Sequence, residues 1–201
     1  MKRFYSLILA TAVLFTFTIS ASAADLYHTV IRGDTMWKVA ANYEVGTKEV
    51  IEANTQIKNP DLIYPGDILS IPRLNSTVSS YETQVVELVN EIRAQYGLTP
   101  LTLNWQLSRV ARYKSQDMAD NNYFSHNSPT YGSPFQMMKQ FGITYRTAGE
   151  NIASGYSSAR AVVTAWMNSE GHRANILNAS YTQIGVGYVA DGHHWTQMFI
   201  G

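Results

Sequence analysis

Three consecutive residues, Glu170-Gly171-His172, set a carboxylate and an imidazole one glycine apart, and Arg173 follows in an otherwise aliphatic and amide-rich stretch, NSEGHRANIL. Unperturbed imidazole titrates at about pH 6.5 and a Glu carboxylate at about pH 4.3, so near neutrality the pair offers a neutral nitrogen beside an anionic oxygen. Such a mixture serves acid–base work or metal ligation. In a regular helix positions 170 and 172 point about 200° apart. Gly171 is expected to end the preceding helix and free the chain to aim both side chains inward, His172 into a cleft and Glu170 at its rim. Arg173 and Asn175 read as residues that tie this segment down through backbone carbonyls.

Nucleophilic chemistry is poorly supplied. The chain has no cysteine, so a serine would have to serve with a base beside it. Ser125 precedes His126, but neighbours in an extended segment point to opposite sides. GYSSA, residues 155–159, lacks the second glycine of a G-x-S-x-G elbow, and its serines suit the cap of the following helix.

The elements that must position these residues can be read from periodicity. Val85, Leu88, Val89 and Ile92 recur at i, i+3, i+4 and i+7, with Gly97 placed to stop the helix. Asn104 can cap a second helix whose stripe holds Leu107, Val110, Ala111 and Met118. NNYFSHNSPTYGSP then breaks all periodicity. A third helix starts at Ser133-Pro134 and ends at Gly142, and a fourth spans 159–168 with Ala161, Val162, Ala165 and Trp166 on its apolar face. QIGVGYVA and HHWTQMFI alternate as strands joined by a turn at Ala190-Asp191-Gly192, and His193 is expected to face away from His194. Tyr123, Phe124, Tyr131 and Phe135 flank His126 and serve a cleft wall or a core equally well. Helices first and a terminal hairpin last predict an α+β layered domain.

Upstream, residues 27–30 alternate like a strand and RGDT follows as a turn in which Asp34 or Thr35 can cap a helix from Met36. A second helix starts at Thr47, and NPDLIYPGD leads into a strand over 68–71. A βααβ unit of this size is near the lower limit for an unaided core. Trp37 and Tyr43 accordingly read as core aromatics, and His28 as solvent-facing. The polar stretch RLNSTVSS, residues 73–80, reads as a short linker that permits relative motion of the two parts.

The first residues predict the compartment. Lys2 and Arg3 precede an apolar run that gives way to Ala21-Ser22-Ala23, the pattern of a secretory signal peptide over residues 1–23. Its apolar core falls short of a bilayer span, and no later stretch reaches that length. Loss of Lys2 and Arg3 leaves two fewer basic than acidic residues in a chain otherwise balanced at 15 of each. The basic residues are scattered, which argues against nucleic acid as a partner. An exported chain without cysteine is held by packing alone.

Two resemblances follow. YHTVIRGDTMWKVAANYEV and NPDLIYPGDILSIP, spanning residues 27–72, resemble a LysM domain, a small carbohydrate-binding module of cell-wall proteins. The resemblance implies a shallow groove for N-acetylglucosamine-containing glycans, peptidoglycan or chitin-like, lined by Gly33, Asp34, Thr35 and Met36 on one side and Leu62, Ile63 and Tyr64 on the other. A single groove lacks the avidity of linked sites, so wall attachment is expected to be reversible. Over residues 81–201, FSH, AGENIA, AWMNSEGHRANIL and HWTQMF, in that order, resemble the CAP superfamily in its bacterial, cysteine-free branch.

The CAP resemblance implies an α-β-α sandwich with a central His/Glu cleft. The matching positions are His126, Glu150 and His194. Eukaryotic members place a second glutamate three residues after a tryptophan, whereas Glu170 lies four after Trp166, so Glu170 and His172 compete for the fourth place. His126, Glu150, His172 and His194 are the set that would hold Zn²⁺ or another divalent metal, which with an open position and a glutamate base makes a hydrolase. The long spacings lack a compact H-E-x-x-H pair, and a His/Glu quartet can equally satisfy itself by hydrogen bonds. Taken together, the expectation is a secreted, cell-wall-associated protein that binds peptidoglycan and presents a CAP cleft. The alternatives are a metal-dependent hydrolase of wall peptide or glycan, and a CAP domain that binds lipid or sterol.

Overall fold

In the computed structural model, residues 26–201 are described; the signal peptide expected at 1–23 lies outside them. The first unit is β1 (Leu26–Thr29), α1 (Met36–Asn42), α2 (Thr47–Glu52) and β2 (Ile68–Ile71). β1 and β2 pair antiparallel, Leu26 opposite Ile71. Val30, Met36, Val39, Ala40, Val50, Leu69 and Ile71 form its core. Trp37, expected in that core, is 65% exposed. Met36 already faces inward, and the next helical position is turned about 100° from it.

The second unit begins earlier than the polar stretch suggests. Helix α3 (Ser76–Gln95) is capped by Asn75, whose side chain accepts from Thr77 N, so residues 76–80 of the expected linker are helical. The chain continues through β3 (Thr102–Leu103), α4 (Trp105–Asp120), α5 (Pro134–Gln140), β4 (Ala148–Ala153), α6 (Ala159–Asn168), α7 (Glu170–Ile176), β5 (Gln183–Val189) and β6 (His194–Ile200). The sheet runs β3-β5-β6-β4, with β3 parallel to β5 and the other pairs antiparallel. One face packs on α4 and α5 through Leu107, Val110, Met137, Met138 and Met198. The other packs on α3 and α6 through Val85, Val89, Val162, Trp166, Trp195 and Phe199. This is the expected α+β arrangement, an α-β-α sandwich beside a βααβ unit.

Two glycines set the α4 layer. A Cβ on Gly185 would fall on the backbone of Leu107 and Ser108, and one on Gly187 on that of Ala111 and Arg112. The alternate glycines of QIGVGYV thus let α4 lie directly on β5. Ser115 fastens the contact, donating to Gly187 O at 3.0 Å and bonding Thr196 Oγ1 at 2.9 Å.

Candidate functional site

β4 is an edge strand of the sheet, and along it a cleft of about 590 Å³ opens between the 124–127 loop and the α6–α7 corner. Phe124, His126, Ile152, Trp166, Ser169 and His172 are among its walls. Glu150, on β4 opposite Met198, stands behind His126: its Oε1 is 2.7 Å from His126 Nδ1. The Glu150 side chain is 1% exposed and that of His126 54%. Among the described residues the other carboxylate oxygen, Oε2, has no hydrogen-bond partner. Burial pushes the Glu150 carboxyl above the usual range, opposed by the bond from His126 and the charges of Lys114 and His126. With Glu150 ionised, Nδ1–H donates and Nε2 is left to accept from whatever occupies the cleft.

His172 reaches the cleft from α7. Burial and then the nearby His126 lower its affinity for a proton. The chain bends differently from the expectation for Gly171. The break between α6 and α7 falls at Ser169, with φ −103° and ψ 124°, and Gly171 is an ordinary helical residue in the first turn of α7. Glu170 and His172 therefore diverge as helical neighbours must, and Glu170 is exposed. The residue three after Trp166 is Ser169, and it is Ser169 that lines the cleft.

The elements around the histidines are tied by buried and part-buried polar side chains. Asn175 donates to Glu150 O at 3.1 Å and Asn151 Oδ1 at 2.8 Å, joining α7 to β4. Arg173 donates to Met167 O at 2.9 Å. Buried Arg93 donates to Thr99, Ile176 and Asn178 carbonyls at 2.8–3.0 Å, closing the C-terminal end of α7. Lys114 and Asp117, both buried on α4, hold the loop that carries His126. Sequence reasoning passed over this pair. The available signal was that Lys114 falls between Ala111 and Met118 on the apolar stripe of α4.

His194 is not among the walls of this cleft. It begins β6, while the partner of Glu150 on that strand, Met198, is four residues further, about 13 Å at the strand rise. The His194 ring lies against Gly192, where a Cβ would stand 2.7 Å from Nε2. Its Nδ1 is buried without a partner among the described residues, and burial lowers its proton affinity. His193 belongs to the turn before β6 and meets Tyr188 Oη at 2.7 Å. Of the aromatic residues flanking His126, Phe124 walls the cleft, while Tyr131 packs with Phe141 on the α4 side.

The expected zinc set does not assemble. Nδ1 of His126 is engaged by Glu150, and among the described residues no three or more His, Cys, Asp or Glu side chains are grouped as a metal would need. A zinc site takes at least three protein ligands, so His126, Glu150, His172 and His194 do not fit one.

In the βααβ unit, the two loops expected to bind glycan adjoin: Val30 N donates to Asp67 O at 2.8 Å and Gly66 N to Val30 O at 2.9 Å. Leu62 and Tyr64 are exposed, Ile63 is partly buried against the core, and Met36 is buried. Thr35 caps α1 through Lys38 N. Gly33 holds a φ of +97°, and its carbonyl accepts from Lys38 Nζ. Asp34 is committed to the turn: Oδ2 accepts from Ile31 N at 2.9 Å and lies 2.8 Å from His28 Nε2. Those bonds, the backbone one first, hold the Asp34 carboxyl below its ordinary value. His28, expected to face solvent, is thus a part-buried tie to this loop and to Tyr43.

An α-β-α sandwich with a His/Glu cleft on its edge strand defines a CAP domain, here preceded by a βααβ module. Comparison with known proteins agrees. A model of the cysteine-rich secretory protein family (CAP) matches residues 86–200, and a LysM domain model matches 28–72. The chain belongs to the CAP family, in a form without cysteine. It is 64% identical over 126 residues to the uncharacterized protein YkwD of Bacillus subtilis, covering 63% of this chain and 49% of YkwD. To the uncharacterized membrane protein YlbC of the same organism it is 37% identical over 156 residues, covering 74% of this chain and 44% of YlbC. It thus spans about half the length of these relatives. Among solved structures, an extracellular protein containing an SCP domain from Bacillus anthracis matches with TM-score 0.60 and 37% identity, over 68% of this chain and 47% of that one. Among the described residues no helix is long and apolar enough to cross a membrane.

Proposed function

We propose that this is an exported cell-envelope protein whose LysM module binds peptidoglycan glycan through the paired loops 33–36 and 62–64, while the CAP domain offers its His126/His172 cleft to a second ligand. The observation that carries the reading is the union of the two domains: a glycan-binding type of module directly joined to a CAP domain. Leu62 and Tyr64, large apolar side chains left in water beside a backbone-rich turn, suit the face of a sugar ring and its acetamido group.

The cleft is a binding site before it is a reaction centre. Glu150 fixes one nitrogen of His126, and the ring exposes the other beside the Phe124 and Trp166 walls. Such a pocket accepts a hydrogen-bond donor of a ligand and packs its apolar part.

The mature chain should sediment with purified peptidoglycan, and Leu62→Asp combined with Tyr64→Ala should leave it in the supernatant. Both residues are exposed, so the double variant should keep its fold. Equal sedimentation of both proteins would remove the groove from the account. Release of soluble wall fragments by the wild type but not by Glu150→Gln would convert the binding reading into a hydrolytic one.

A further inference from the structure

We propose that Lys114, which stands outside the His/Glu set, is the positioning residue that presents His126 to Glu150 by gripping the backbone carbonyls beneath the imidazole. The inference rests on reading the cleft as the functional site of the CAP domain.

An ammonium has three donors, and Lys114 Nζ meets three acceptors: Ser125 O at 2.7 Å, Tyr123 Oη at 2.9 Å and His126 O at 3.0 Å. The residue is fully buried, and its ammonium lies 4.8 Å from the centre of the Tyr123 ring. A cation in this position is costly to bury unless its donors and its charge are both answered. The carboxylates of Glu150 and Asp117 answer the charge, against the burial that lowers its proton affinity.

Asp117, one turn along α4, holds the rest of the loop. Its carboxylate accepts from Tyr123 Oη, Ser128 Oγ and Thr130 Oγ1 at 2.5–2.6 Å and from Asn121 Nδ2 at 2.8 Å. His126 sits between these anchor points with an exposed ring whose hydrogen bond is the one to Glu150. A loop imidazole so open to solvent would sample many directions if its backbone were free. Fixing two successive carbonyls, 125 and 126, fixes the peptide plane and hence the direction in which the His126 side chain leaves the chain. The same charge also favours the ionised Glu150 that receives Nδ1–H, so one ammonium aims the donor and keeps the acceptor.

The test uses the full mature chain with ¹⁵N-labelled histidine. The wild type should show a downfield, slowly exchanging His126 Nδ1–H proton, assigned by its loss in His126→Asn. Lys114→Met, similar in length but without donors, should lose that signal. The indole N–H signals of Trp166 and Trp195, which donate to Ile152 O and Tyr156 O, should stay in place and report an intact fold. A folded Lys114→Met protein that keeps the His126 proton would overturn the proposal and leave Lys114 a structural residue. Should Lys114→Met not fold, ¹⁵N-lysine spectra of the wild type decide instead. One ammonium must exchange far more slowly than the others and couple to the carbonyls of Ser125 and His126, and uniformly fast exchange would overturn the proposal. Neither readout involves glycan or a cleft ligand, so failure here and failure of peptidoglycan binding are separate results.

Discussion

Glu49, on the second helix of the LysM module, and Arg109, on α4 of the CAP domain, meet as a two-pronged ion pair: Nε to Oε1 at 2.5 Å and Nη2 to Oε2 at 2.9 Å. The guanidinium lies over the rings of Tyr113 and Phe141, and Gly46 beneath it has no room for a Cβ. A groove of about 480 Å³ remains beside the joint, walled by both modules. The polar tie therefore acts as a latch across an otherwise thin junction, restricting the relative motion that the short linker alone permits.

Breaking that latch should loosen the pair of modules. Arg109→Ala is expected to raise the radius of gyration in solution scattering, and an Arg109→Ala/Glu49→Gln double-mutant cycle should give a coupling of about 1 kcal/mol for a partly exposed forked pair. Desolvation is the largest single influence on Glu49 and raises its pKa, but the hydrogen bond and charge of Arg109 together with a backbone bond and Tyr113 outweigh it, so the folded value lies below 4.5. A depressed carboxylate contributes stability that is present above its unfolded pKa and is lost as pH falls through the folded one. The latch should accordingly be insensitive to pH near neutrality and fail in acid below about pH 4.5. A neutral-pH opening would contradict this assignment.

Glu150 should behave in the opposite sense. Its folded pKa is raised by burial, so the stability it contributes is complete below the unfolded value and declines as pH rises through the folded one. Glu150→Gln should flatten the fall in melting temperature as pH rises above about 4.5 and cost no more than about 1 kcal/mol at neutrality, because an amide can still bond His126. A steeper pH profile in the variant would show that the carboxylate is not the group responsible.

Two glycine substitutions should move stability in opposite directions. Gly187→Ala drives a methyl into the backbone of α4 and should cost roughly 2–3 kcal/mol or more by overpacking. Gly171→Ala places a methyl in open space within α7 and should gain about 0.5–1 kcal/mol from helix propensity. Thermal or urea unfolding measures both. A destabilised Gly171→Ala would restore the hinge role that the helix geometry removes.

The sequence made the helices and the hairpin legible, and it carried the domain order, because apolar periodicity reports burial directly. Val85 and Val89 are buried on α3, and Ser133 caps α5 with a reciprocal bond from Gln136 as its Ser-Pro start suggests. What periodicity reports less well is a polar residue doing a buried task. Lys114, Arg93 and Asn54 are each buried and answer backbone carbonyls that no local pattern reveals. Gly171 was misleading for a related reason: glycine permits a bend but does not require one, and the bend fell to Ser169. Linear motifs also placed His194 beside His126. In three dimensions strand register separates it from Glu150 by four residues of β6.

The most direct test of the central claim is calorimetric titration of the protein with soluble N-acetylglucosamine-containing glycan fragments prepared from peptidoglycan. Binding should be saturable and reversible with one site per chain, lost in the Leu62→Asp/Tyr64→Ala variant and unchanged in Glu150→Gln. Absence of saturable heat, or binding that follows Glu150 and ignores Leu62 and Tyr64, would contradict it.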